Sequence, residues 1–260
     1  MFDFEFKRLI RNKDIFVIII SMMLLVVTNL VLENVYYGEQ INSNIRLYNL
    51  YNTFSQFIFL VFAPIFGGII SKDIENNSIY FYLNNNVNMK KYCISKLISY
   101  QLVIFIVFSM QFAIYALVFN IDFYKAIAIF IILLLDFYYL LSIAFLLSCI
   151  MKKHSKTSIM IIFTWFVLSL VNIIPFPLIR GKIFLIDNNS YTSYIISNYL
   201  GLFEKSINFK EPLNIGNNNL FVLFLVNMIW IIIFNLISYM LLLKKYNRVI
   251  KRRNNVIKYN

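Results

Sequence analysis

A chain of 260 residues that is 60% hydrophobic and only 14% charged, with a mean hydropathy of +0.73, has too few polar side chains to cover a water-soluble fold of its size. The formal net charge of +12 could suit a nucleic-acid binder, but the basic residues stand in short blocks between apolar runs, which is a topology signal and no nucleic-acid footprint. Two cysteines, Cys93 and Cys149, are too few for a disulfide framework, and free thiols are expected.

Crossing about 30 Å of hydrocarbon as a helix takes about 20 apolar residues, because every backbone N–H and C=O must be paired within the segment. Runs of that length recur here, whereas the short alternating strands of a barrel do not. The fold class expected is therefore an all-α integral membrane protein. It has six transmembrane helices, an N-terminal interfacial helix and a helical extracellular segment before the last span, in a single transmembrane domain over 1–260.

In chain order, residues 1–14 come first. Phe2, Phe6, Leu9 and Ile10 fall within an arc of about 100° on a helical projection, with Lys7, Arg8, Arg11 and Asp14 mostly opposite, which predicts a helix lying flat on the inner leaflet. Phe4 breaks the pattern. The first span, 15–32, is too long for the apolar region of a signal peptide, and no small-x-small site follows in Glu33-Asn34-Val35-Tyr36, so a retained span is expected. The others are 53–70, 97–119, 126–150, 158–174 and 220–243. Of the 24 basic residues, 18 fall in 1–14, 71–96, 151–157 and 244–260. The remaining six are Arg46, Lys125, Arg180, Lys182, Lys205 and Lys210. Positive residues accumulate on the cytoplasmic side, so both termini are expected there.

The connection 71–96 is longer than a turn needs. Two short helices separated by a bend at Asn84–Asn86 are expected, since Asn caps helices and tolerates left-handed backbone. The aromatic cluster Tyr80, Phe81 and Tyr82 needs lipid, the bundle or a partner against it. Pro175-Phe176-Pro177 ends the fifth span and opens an extracellular segment, 175–219, in which 191–203 is apolar enough for a short helix. The tail 244–260 reads as a basic extension of the last helix.

The chemistry is sparse. His154 is the one histidine and sits in a basic loop, and neither a zinc-protease helix motif nor a phosphate-cradling glycine loop is present, so no enzyme with its own nucleotide site is expected. Asp136, midway along the fourth span, is either a pathway residue or a structural acid held by a Tyr, Ser or Asn, because an aspartate at that depth costs about 2.5–3.5 kcal/mol and must face the bundle or a cavity. Gln56, Gln101, Gln111, Asn172, Asn227 and Asn235 are amides in or beside spans, either joining helices or lining a path.

The layout resembles the type-2 ABC exporter permease family, whose members have six spans, an N-terminal interfacial helix, a long first cytoplasmic loop and a re-entrant region before the last span. Members often read small-x-Glu-x-x-x-Gly-Thr, then Pro-Val-Ser-Arg, then a Lys leading into the third span. Here Ser71, Asp73 and Ser78 take the small, acidic and hydroxyl places, Val87-Asn88 stands near Val-Ser, and Lys90 and Lys96 take the basic ones. Asp73 or Glu75 replaces the Glu, Asn77 the Gly, Ser78 the Thr and Asn86 the Pro. The resemblance spans nearly the whole chain in layout and the loop alone in motif.

It implies a dimer, with a second copy or a paralogue, above two cytoplasmic ATPase subunits that bind ATP and Mg, while this chain binds no cofactor. The docking residues would be Asp73, Glu75, Ser78, Tyr80, Phe81 and Tyr82, assisted by Phe6 and Arg8. The substrate path would include Asp136, Asn227 and Asn235. The cargo expected is an amphipathic or hydrophobic peptide, as in bacteriocin export and self-protection. Two alternatives stand beside this: a secondary transporter or channel working through Asp136, and a membrane immunity protein that binds a peptide without moving it.

Overall fold

The computed structural model describes residues 1–11, 14–37, 41–79, 82, 88–173, 196–197, 199–202 and 220–257. The bend at Asn84–Asn86, Tyr80, Phe81 and most of 175–219 lie outside the described residues. Among the described residues all regular structure is helical: α1 (Phe2–Arg11), α2 (Asp14–Tyr37), α3 (Ser43–Phe66), α4 (Ser71–Glu75), α5 (Met89–Val118), α6 (Phe123–Met151), α7 (His154–Ile173) and α8 (Leu220–Ile257).

Five segments, Asp14–Val35, Ser43–Glu75, Met89–Val118, Phe123–Met151 and Phe224–Lys244, are long and apolar enough to cross a membrane. The protein therefore has the transmembrane helical character of a multi-pass membrane protein. The expected span 158–174 falls on α7, whose described side chains make a shorter apolar helix, His154–Leu168.

α3 is the central helix. Leu47, Leu50, Tyr51, Phe54, Ile58, Phe62 and Phe66 are all buried, and α2, α6 and α7 pack around it. In lipid the tails are as apolar as leucine, so helices hold together by close packing and polar contacts rather than by escape from water. Aromatic rings supply much of that packing: Phe108 on α5 stacks on Phe130 of α6 at 5.2 Å, and Phe137 of α6 meets Phe62 of α3 edge-on at 5.2 Å. By contrast α2 buries a single stripe, Ile18, Met22, Leu25, Asn29 and Glu33, and leaves Phe16, Ile20, Met23, Val27 and Val31 exposed.

Two starts differ from the hydropathy reading. α3 begins ten residues before Thr53, capped by Asn42, whose side chain accepts from the Asn44 N–H at 3.1 Å. α5 begins at Met89 and not at Leu97, with Asn88 accepting from the Lys90 N–H at 2.9 Å. In both, a capping asparagine starts the helix in polar sequence and apolar composition follows later.

The end of α3 is broken. Pro64 lies inside the helix, and residues 67–70 form turns before α4 resumes. The Gly68 N–H turns to the Ile65 carbonyl, and the Pro64 carbonyl is met instead by His154 Nε2 at 2.8 Å. Gly67 sits where α3 touches α7: a Cβ there would lie 2.8 Å from the Ala63 carbonyl oxygen and 3.0 Å from the Ser158 backbone nitrogen. Gly201, at φ +70°, occupies the left-handed region that glycine enters without strain. Beside it the Leu200 carbonyl accepts from Asn44 Nδ2 at 2.9 Å, anchoring this piece of the segment before α8 to the start of α3.

α1 differs from its projected face. Leu9 is buried and Phe6 packs on the core, but Ile10 is exposed and Glu5 takes a place in the buried stripe. An acid is tolerated on that face because of the cations it meets.

Candidate functional site

Those cations belong to a buried ionic cluster that joins α1, α4 and the first turns of α5. Asp73 is held by three groups: Lys96 Nζ at 2.6 Å, Arg8 at 3.0 Å and a hydrogen bond donated by the Tyr92 hydroxyl. Glu5 Oε2 receives Arg8 at 3.2 Å and Lys96 at 3.5 Å. Two carboxylates and two cations balance, which is the condition under which such charges leave water.

Local structure explains each placement. Glu5 and Arg8 are one turn apart on α1 and share a face, as do Tyr92 and Lys96 on α5. Lys96, fully buried, has three protons to place. They are met by Asp73, by Glu5 and by the Ile69 carbonyl at 3.0 Å, which the break after α3 leaves open to a side chain. Burial opposes the charge on Arg8, but Asp73 and then Glu5 outweigh it, so its pKa is raised and the guanidinium stays cationic. Tyr82 closes the cluster as an aromatic wedge, edge-on to Phe4 at 6.4 Å and tilted against Tyr92 at 5.3 Å. Burial, reinforced by Glu5, raises its pKa and keeps the phenol neutral.

A second network ties α2, α3 and α5 at the opposite end of α5. Glu33 is paired with Arg46 at 2.9 Å and accepts from Asn29 Nδ2 at 2.9 Å. Thr53 donates to Asn29 Oδ1 at 3.1 Å, Tyr115 donates to Glu33 at 3.4 Å, and Arg46 lies 4.3 Å from the Phe119 ring centroid. Arg46→Met would leave Glu33 buried without its cation and is expected to lower stability by about 2–3 kcal/mol, less than for a fully enclosed pair because Arg46 keeps some exposure. Arg46→Lys should recover only part of it, lacking the planar stacking on Phe119. Urea titration of the purified protein checks both, and equal stability of Arg46→Met and the parent would remove the assignment.

Of the docking residues read from the sequence, Asp73 and Arg8 prove to be engaged with each other inside the protein. Phe6 stacks on Phe2 and packs on the core. Ser78 is half-buried. Glu75 is exposed and accepts from the His154 backbone N–H at 3.1 Å, while Tyr80 and Phe81 lie outside the described residues. On the proposed path, Asp136 is half-buried on α6, Asn227 is fully buried on α8 and Asn235 is half-buried on α8. Among the described residues no group of three His, Cys, Asp or Glu side chains could hold a metal ion.

Glu5, Tyr92 and Lys96 were absent from the sequence-derived site. The usable signal was Lys96, an ammonium entering an apolar helix that needs a counter-charge, with Tyr92 one turn before it. Glu33 and Arg46 carried a similar signal, an acid and a base facing each other across the connection from α2 to α3. No protein-family model, curated protein or solved structure matches this chain.

Proposed function

We propose that this chain is the membrane subunit of an ATP-binding-cassette exporter of the type-2 class, working as a dimer in a bacterial plasma membrane. It moves an amphipathic or hydrophobic cargo, a peptide in our reading, with energy from a separate ATPase that holds ATP and Mg. The sixth span is then completed by α7, and the end carrying α1 and α4 faces the cytoplasm, where the basic segments accumulate.

The observation that supports this most is the ionic cluster. A push on the short helix that follows the second long span cannot dissipate locally, because Asp73 is fastened to α1 through Arg8 and to α5 through Lys96. A coupling element needs such stiffness. In this reading Asp73, Arg8 and Phe6 hold the element in place, and the exposed Lys72, Glu75, Asn76 and Asn77 present the surface that meets the ATPase.

Co-expression with candidate ATPases and pull-down from detergent tests the reading. Glu75→Lys with Phe81→Ala should cut ATPase recovery several-fold relative to the amount of folded permease, which is measured alongside. Unchanged recovery and transport would remove the docking assignment. Transport with no ATPase bound, lost in Asp136→Asn, would instead point to a secondary transporter.

A further inference from the structure

Asn227 is fully buried, and neither its Nδ2 nor its Oδ1 has a hydrogen-bond partner. Among the described residues it is the buried carboxamide with both polar atoms unmet, whereas Asn49, Gln111 and Asn235 each leave one. An Asn inside a helix interface normally joins the helices, since hydrocarbon offers no water as a substitute. Here it joins nothing, so the closed arrangement is costly at this position.

The position is specific. Asn227, Ile231, Phe234 and Ser238 recur at intervals of four, three and four along α8, one face of a helix, and Asn227, Ile231 and Ser238 are buried. Phe234 places that face against α6, its ring 5.7 Å from that of Tyr139. Asp136 precedes Tyr139 by one turn on α6, so it belongs to the same side of that helix. Asn235, beside Phe234, also leaves its Oδ1 unmet. Asn227 therefore lies on the face of α8 that meets α6, Asp136 lies on the side of α6 that meets α8, and Asn235, turned about 100° around the helix from Phe234, sits at the edge of that face. The opposite face of α8, with Met228, Ile229, Ile232 and Leu236, is exposed and wholly apolar.

We propose that the seam between α6 and α8 opens by thermal motion of the subunit itself, before any ATPase acts, and that Asn227 is a hydrogen-bonding subsite for a neutral peptide group of the cargo. A carboxamide offers a donor and an acceptor side by side, the complement of a backbone C=O and N–H. Asn235 lies about 12 Å farther along the helix, a distance that about three or four extended residues cover. This rests on the exporter reading for its direction of movement, but its test needs no ATPase.

The full chain with Cys93→Ala and Cys149→Ala, in lipid nanodiscs, would carry either Asn227→Cys or, as a control on the exposed face, Ile229→Cys. A charged methanethiosulfonate, which does not partition into hydrocarbon, should label position 227 at least an order of magnitude faster than position 229. A synthetic amphipathic Leu/Lys peptide should slow labelling at 227 severalfold and leave 229 alone. Asn227→Leu, in the otherwise natural chain, should raise the thermal midpoint by several degrees, because it removes an unmet amide without opening a hole.

Labelling at 227 no faster than at 229 overturns the opening of the seam, and labelling that the peptide does not slow overturns the peptide subsite. A lowered midpoint in Asn227→Leu overturns the unmet amide itself, since the side chain would then have a fixed structural partner. Positive labelling and protection with no ATPase recovered would leave the subsite standing while the exporter reading fails. An exporter with an unreactive position 227 shows the reverse.

Discussion

Lys96→Met should strongly destabilise the folded protein and lower its thermal midpoint more than Arg46→Met or Gly67→Ala does. The substitution keeps the length and removes the charge, leaving Asp73 and Glu5 buried with Arg8 as their one cation. Breaking a buried ion pair from one side costs about 3–5 kcal/mol, because the remaining charge cannot regain its water. That is a large share of the stability of a typical domain, about 5–15 kcal/mol. Lys96→Met combined with Asp73→Asn restores neutrality: Glu5 and Arg8 remain a pair, and the Asn carbonyl can still accept from Tyr92. The double variant should therefore recover most of the loss, which an additive pair of substitutions could not do. Thermal unfolding in detergent, read for both single variants and the double, decides it. Two single losses that simply sum would show that packing of the Lys96 stem, and not charge balance, holds this end together.

Gly67→Ala should be the second most damaging change, through the seam between α3 and α7. The added methyl meets the Ala63 carbonyl oxygen at 2.8 Å, the Ser158 nitrogen at 3.0 Å and the Ser158 hydroxyl besides. The first two are backbone atoms and cannot rotate away, so α7 has to shift and the last turn of α3 has to deform. Forcing a group into a full interior costs about 1–3 kcal/mol. The Gly67 carbonyl also accepts from the Ser71 and Ser148 hydroxyls, so a displaced backbone would disturb α4 and α6 as well. Gly67→Ala with Ser158→Ala removes the hydroxyl clash and leaves the backbone ones, and only partial recovery is expected. Full recovery in the double variant would show that the backbone has room to give.

The helical class was legible because a run of about 20 apolar residues has few other solutions in lipid. Helix beginnings were less so. Hydropathy marks where hydrocarbon starts, but Asn42 and Asn88 start α3 and α5 in polar sequence, and nothing apolar announces them. Residues 43–52 contain Arg46 and three asparagines, yet Leu47, Leu50 and Tyr51 on one face are buried.

The site was half legible for a related reason. Asp73 stood out as an acid in a loop, where exposure is the natural expectation, and its burial depends on cations far away in sequence. Composition shows the charges, but their pairing follows from the crossing of α1, α4 and α5. Asn227 and Asn235 were visible as polar interruptions of an apolar helix, and only the packing shows that Asn227 is left unmet.

The ionic cluster also orders the protein's synthesis. Glu5 and Arg8 leave the ribosome first, Asp73 well after them, and Lys96 after all three, so the last charge needed for balance arrives with the third long helix. Until then two carboxylates share one arginine, and α1 has reason to stay at the water interface instead of seating against the bundle. Docking of the N-terminal helix should therefore wait for the first turns of α5. A chain stopped before residue 96 should carry a loose, protease-accessible N-terminus.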